Sequence, residues 1–225
     1  MKIAIVIGHN AKSQGAVRVT DGVTEFAWNS HLAELIATHA PGSIKVFQRV
    51  SGGGYSAEID RVYAETDKWG ADCVVELHFN ASGTAGVAGC ETLTSGTKSS
   101  VKLAVALQEQ MVKALKNRDR GIKPVMRTDR GGRSLWQGKA PAALIEPYFG
   151  SSREECINAD LNKDALAEAV YRGCLASFGV GLLPPKVTLA TPVEAPSSPR
   201  ELIAERKLRD TADALRRLAA SIDPR

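Results

Sequence analysis

The stretch MKIAIVIGHN (1–10) decides the fold. Its residues 2–7, KIAIVI, form an unbroken apolar, β-branched run, the pattern of a strand covered on both faces. The run stops at Gly8-His9, so a titratable side chain follows directly on the strand's carboxyl end. Outward from it, helical and strand patterns alternate. TEFAWNSHLAELIATHA (24–40) reads as a helix, with Thr24 as N-cap and Pro41-Gly42 as its stop. IKVFQRV (44–50) is a second strand, SGGG (51–54) a turn and SAEIDRVYAETDKWG (56–70) a second helix. DCVVELHFNA (72–81) and GCETLTS (89–95) are further strands, and SVKLAVALQEQMVKALKN (100–117) is a long amphipathic helix. PAALIEPYF (141–149) is another strand, and one helix is expected over roughly 153–178. The alternation predicts an α/β fold, a mostly parallel twisted sheet flanked by helices.

The composition narrows the class. The chain has 225 residues, 44% hydrophobic and 24% charged, which is enough apolar material for a core and excludes disorder throughout. No stretch approaches the roughly 20 apolar residues of a membrane helix. The apolar run at the N-terminus is too short for a secretory signal, so synthesis in the cytoplasm without a cleaved leader is expected. The excess of 29 Lys+Arg over 25 Asp+Glu is mild, and with aromatics at 5% nothing points to nucleic acid. Cys73, Cys90, Cys156 and Cys174 form no C-x-x-C pair and are expected to be buried free thiols.

From Leu182 the pattern changes. LLPPKVTLATPVEAPSSP (182–199) holds five of the ten prolines and reads as an extended linker. Beyond it, residues 200–225 read as an amphipathic helix, in which Leu208, Ala212, Leu215, Ala219 and Ile222 are spaced 4-3-4-3. That short seam offers self-association, and the arginine content a membrane-surface helix that the near-balancing acidic residues disfavour; otherwise the segment is a plain solvated appendage. The expected organisation is a catalytic domain over 1–180, a Pro-rich linker over 181–199 and a terminal helix over 200–225.

In open α/β sheets functional groups gather past the carboxyl ends of the strands. His9, His78 and Glu146 all occupy such positions. For the two histidines position alone leaves metal ligand and ordinary polar residue equally open. His31 and His39 lie within the first helix and are read as structural. Glu25 opens that helix, where an acidic side chain complements the helix dipole. Glu91 is a rival carboxylate on a strand. Glu146 stands inside apolar LIEPYF, where an unpaired charge is costly. Either an ion pair with Arg127, Arg130 or Arg133 holds it, or its raised pKa serves acid–base chemistry.

The order GH (8–9), Glu25 at a helix start, LHFNAS (77–82) and LIEPYFGSSREE (144–155) resembles the zinc-dependent N-acetylmuramoyl-L-alanine amidases, the cell-wall amidases of autolysins and phage endolysins. The resemblance covers about residues 1–180. It implies that His9, Glu25 and His78 are the ligands of a Zn2+ ion and that Glu146 is the catalytic glutamate. It also matches Arg49 to an arginine that follows the second strand, and Asn80 to an asparagine that supports the loop after the second histidine. The substrate implied is peptidoglycan, cut between N-acetylmuramic acid and L-alanine. Arg127, Arg130 and Arg133 would then either meet stem-peptide carboxylates or form an ordinary solvated loop.

The chain departs from that pattern in places. Ile7 stands where the family has Asp, Asn10-Ala11-Lys12 replaces a Gly-rich tail, Glu76 takes the place of Ser, and Pro147 and Gly150 alter the last motif. A wall substrate without an export signal suggests a phage or prophage enzyme released at lysis, or a wall-opening component of a phage-like particle. The rival readings are another zinc hydrolase on this fold, such as a peptidase or deacetylase, and a non-catalytic wall-binding or particle-structural protein.

Overall fold

The computed structural model describes residues 1–180; the linker and terminal helix expected over 181–225 lie outside the described residues. In chain order the elements are β1 (Ile3–Ile7), α1 (Glu25–Thr38), β2 (Ile44–Gln48), α2 (Gly54–Trp69), β3 (Cys73–Leu77), β4 (Cys90–Thr94), α3 (Lys98–Leu115), β5 (Asp119–Pro124), α4 (Gly132–Leu135), β6 (Ala142–Glu146), α5 (Arg153–Leu161) and α6 (Lys163–Ser177). The six strands form one sheet in the order β2-β1-β3-β6-β4-β5.

β1 and β3 are buried along their whole length, which explains their unbroken apolar runs. Side chains alternate between two helical layers because successive residues of a strand point to opposite faces. Ile3, Ile5, Ile7, Val75, Leu77 and Ile145 pack with α1, α3, α5 and α6. Ala4, Val6, Val74, Ala142 and Leu144 pack with Ile59, Val62 and Tyr63 of α2 and Leu135 of α4. Glu76, His78 and Glu146 share the parity of this second set.

The sheet is mostly parallel, as expected, with one inversion: β4 runs antiparallel to β6, while β5 lies parallel to β4 at the edge. That inversion sets Glu91 directly opposite Glu146. Two elements have no counterpart in the sequence reading. β5, DRGIKP, is a partly exposed edge strand, and α4 is a single turn. The helix expected over 153–178 is divided at Asn162, which caps the end of α5 and the start of α6 and whose Nδ2 donates to the carbonyl of Asn158.

Local chemistry fixes the ends that matter. The Thr24 side chain accepts the amide of Ala27 and starts α1, which places Glu25 in its first turn. Ser152 likewise accepts the amide of Glu155 at the start of α5. The Glu155 carboxylate then receives the amides of Phe149 and Gly89, at 2.8 and 2.7 Å, and so ties the loop after β6 to the entry of β4.

Candidate active site

The ends of β1, β3 and β6 converge with the start of α1 on a cleft of about 700 Å³. Glu25, 3% exposed, is its hub. One carboxylate oxygen, Oε1, lies 2.7 Å from His78 Nδ1 and accepts the amide of Phe79 at 3.2 Å. The other, Oε2, lies 3.1 Å from His9 Nε2 and accepts the amide of Ala16 at 3.1 Å. Burial works against a charged Glu25, yet the hydrogen bonds from His78 and His9 outweigh it and hold the carboxyl far below its ordinary range.

Both histidines are set by backbone as well as by partners. His9 sits at φ 66°, in the left-handed region that a residue with a Cβ seldom adopts. Such a strained conformation persists only where its surroundings enforce it. Gly8 lets the end of β1 close on β3, since a Cβ there would lie 2.4 Å from the Leu77 carbonyl and 2.5 Å from the His78 ring. Gly15, at φ +79°, brings its backbone against the cluster; a Cβ there would meet Glu25 Oε2 at 2.6 Å.

His78 is held from both sides. Its Nε2 lies 3.1 Å from Oε1 of Glu76, a carboxylate 1% exposed whose other oxygen accepts the Tyr63 hydroxyl at 2.9 Å. Burial disfavours a charged imidazole, but Glu25 and Glu76 together overcome it and push the His78 pKa up to about 10.

The donor set suits a metal ion. One ligand atom from each of His9, Glu25 and His78 can be chosen so that all lie within 4.8 Å of one another. Two imidazole nitrogens and a carboxylate oxygen match zinc, which in hydrolases takes three protein ligands and leaves one position open. A further observation favours the fit: Oε2 of Glu146, at the rim of the same cleft, is buried with no hydrogen-bond partner among the described residues. A carboxylate oxygen left so is a group waiting for a partner from outside the fold. Burial, with Glu91 and Glu25 nearby and only partly offset by His78, pushes the Glu146 pKa up to about 7.

Among the described residues, the arginines expected as ion-pair partners of Glu146 are engaged elsewhere or unpaired. Arg133 makes a two-pronged contact with Asp60, and Arg127 donates to Gln137 away from the cleft. Arg130 is exposed on the cleft wall and forms no ion pair among the described residues. Arg49 also lines the cleft, but its guanidinium donates to Glu58 at 3.1 Å and lies over the ring of exposed Tyr55. Asn80 spends its side chain on the loop: Nδ2 donates to Glu91, and Oδ1 accepts the amide of Ala81. Glu91, the rival carboxylate, is fully occupied by Asn80 and Arg120. His31 is exposed on α1 and His39 at its C-cap, stacked on Tyr171, and the four cysteines are buried free thiols.

Three residues at the site carried no role in the sequence reading: Gly15, Glu58 and Glu76. Glu76 had a visible signal, a charge inside the apolar run DCVVELHF, the same signal that marks Glu146.

No curated protein sequence matches the chain. Among solved structures, the catalytic domain of the amidase CwlV from Bacillus (Paenibacillus) polymyxa var. colistinus superposes with a TM-score of 0.66 at 22% identity, covering 80% of this chain and 100% of that one. An N-acetylmuramoyl-L-alanine amidase from Clostridium difficile 630 gives 0.66 at 25% identity, over 79% of this chain and 97% of that one. The catalytic domain of CD27L, an endolysin targeting Clostridia difficile, gives 0.63 at 26% identity, over 78% and 97% respectively. Residues 3–176 match the family described as N-acetylmuramoyl-L-alanine amidase. With that match spanning the sheet, its helices and the whole cleft, this chain is a member of the N-acetylmuramoyl-L-alanine amidase family.

Proposed function

We propose that the chain is a zinc-dependent peptidoglycan hydrolase that cleaves the amide between the lactyl group of N-acetylmuramic acid and L-alanine. The observation that carries this reading is the His9–Glu25–His78 cluster sharing one cleft with a Glu146 oxygen that is buried and unpartnered among the described residues. His9, Glu25 and His78 hold the metal, Zn2+ by the chemistry of the donors. Bound there, zinc supplies a Lewis acid for the amide carbonyl and an acidified water.

The chain's own residues do the rest. Glu146 takes a proton from the attacking water and returns it to the leaving nitrogen of L-alanine, a role that suits a carboxylate oxygen buried in the cleft with no partner among the described residues. The backbone amides of Ala16 and Phe79 keep Glu25 in position. Arg130, exposed on the wall without a carboxylate partner among the described residues, meets a carboxylate of the stem peptide. Arg49 and Asn80 shape the cleft through Glu58 and Glu91. The likeness to an endolysin catalytic domain supports a setting in phage lysis or wall penetration.

The test is digestion of purified sacculi by wild type, by Glu146→Ala and by chelator-treated protein, with products read by mass spectrometry. Stem peptides with a free L-alanine amine, absent from both controls, are expected. Cleavage at another amide would keep the site and replace the substrate. No cleavage by folded, zinc-loaded protein would leave a wall-binding or structural role.

A further inference from the structure

Burying a carboxylate in the middle of a sheet costs several kcal/mol unless its partners are fixed. Glu76 is buried in this way, and both of its oxygens are committed, one to Tyr63 Oη and one to His78 Nε2. The register brings this about. Residues 74, 76 and 78 project from β3 towards the α2 layer, and Tyr63 lies on the buried face of α2. Gly8, just past β1, lies so close that a Cβ there would come within 2.5 Å of the imidazole, which limits the room for the ring to turn.

Each nitrogen of His78 faces a carboxylate, but only the one at Nδ1 belongs to the cluster. Nε2 points at Glu76, whereas Nδ1 points at Glu25 and into the cluster with His9. In a neutral imidazole one nitrogen carries the proton and the other the lone pair, and the hydrogen bond made by one decides the role of the other. A metal ion held by the cluster would displace the proton that Nδ1 otherwise shares with Glu25, and Glu76 would keep the other proton at Nε2, with the Nδ1 lone pair directed at the cluster. A carboxylate behind a ligating histidine also makes the imidazole a stronger donor.

We infer that Glu76 is a positioning residue for the metal: it fixes the tautomer and orientation of His78 and raises the affinity of the His9–Glu25–His78 cluster for zinc, with Tyr63 holding Glu76 in turn. The inference rests on the zinc reading of the cluster. It concerns this chain in particular, since Glu76 stands where the resembled family has serine, whose shorter side chain brings no charge.

The experiment measures zinc dissociation constants by competition with a chromophoric chelator, for wild type, Glu76→Gln, Glu76→Ala and Tyr63→Phe. The thermal midpoint of each is recorded in excess chelator. Removing a carboxylate of this kind weakens metal binding by about 10- to 100-fold, and that loss is expected for Glu76→Ala. Glu76→Gln keeps an acceptor for Nε2–H and the size of the side chain but not the charge, so a loss of up to about tenfold is expected. Tyr63→Phe should lose least. A residue with a packing role alone would shift the chelated midpoint and leave zinc affinity unchanged. If Glu76→Ala does not fold, Glu76→Gln decides. Wild-type affinity in the folded glutamine variant overturns the inference while the zinc reading stands. Failure of wild type itself to bind zinc overturns the zinc reading, and the inference with it.

Discussion

Two neighbouring strands each bring a glutamate to the same side of the sheet, and the fold treats them in opposite ways. At β3, Glu76 has a partner for each oxygen and is almost sealed from solvent. At β6, Glu146 keeps one buried oxygen with no partner among the described residues. The register separates them by a single step: Glu76 pairs with Leu144, and the amide of His78 donates to Ile145. The same type of side chain in the same kind of apolar run thus stands in two different environments. A carboxylate whose hydrogen bonds are all made inside the fold holds something still, whereas one left short of a partner is available to a reactant.

The largest effect expected in this contrast comes from the residue between the two glutamates. His78→Ala removes a proposed ligand and the group that Glu76 and Glu25 both hold. Zinc should no longer remain with the protein through gel filtration, and turnover should fall to the chelated background. Stoichiometric zinc in that variant, measured by elemental analysis, would show that the cluster is not the metal site.

A second effect is a stability difference with a defined pH window, measured in excess chelator. Glu146 has a pKa of about 7 in the folded chain against an ordinary 4.5. Below pH 4.5 folded and unfolded chains both carry the proton, so the raised pKa costs nothing there. Between these values the unfolded chain ionises first, so stability falls as pH rises, and above about 7 the loss is complete. Glu146→Gln escapes that loss. Its stability relative to wild type should climb by about 1–3 kcal/mol from pH 4.5 to 7.5, or a few degrees in midpoint. A difference that does not change with pH would mean that Glu146 is not held protonated by its surroundings.

The smallest effect separates two arginines near the cleft. Arg130→Ala should raise KM by about two- to fivefold with kcat unchanged, the mark of binding lost equally from substrate and transition state. Arg127→Ala, directed at Gln137 instead, should leave both parameters unchanged. Equal behaviour of the two variants would remove Arg130 from the substrate site.

The parts of this site that are legible in the sequence are those with local signals. The run KIAIVI ending in Gly-His, and the glutamate inside LIEPYF, place His9 and Glu146 at strand ends by pattern alone. Glu25 is legible only through resemblance, because an acid in a helix's first turn looks the same whether it complements the dipole or meets two histidines across the cleft. The Arg133–Asp60 pair joins residues 73 positions apart, and no local pattern announces it. β5 escapes because an edge strand reading DRGIKP is half polar and holds both Gly and Pro. The inversion of β4 also lies beyond local reading, since strand direction is settled by neighbours, and that inversion is what sets Glu91 against Glu146.

The contrast between the two glutamates meets its most direct test in turnover of purified muropeptide as a function of zinc concentration, for wild type, Glu76→Gln and Glu146→Gln. With Glu76 positioning the metal, its variant should need more zinc yet approach the wild-type rate, within about threefold, once saturated. With Glu146 carrying the proton, its variant should bind zinc as wild type does but stay about 10²- to 10⁴-fold slower at every zinc concentration. A Glu146→Gln enzyme restored by zinc, or a Glu76→Gln enzyme that zinc does not rescue, would contradict the assignment.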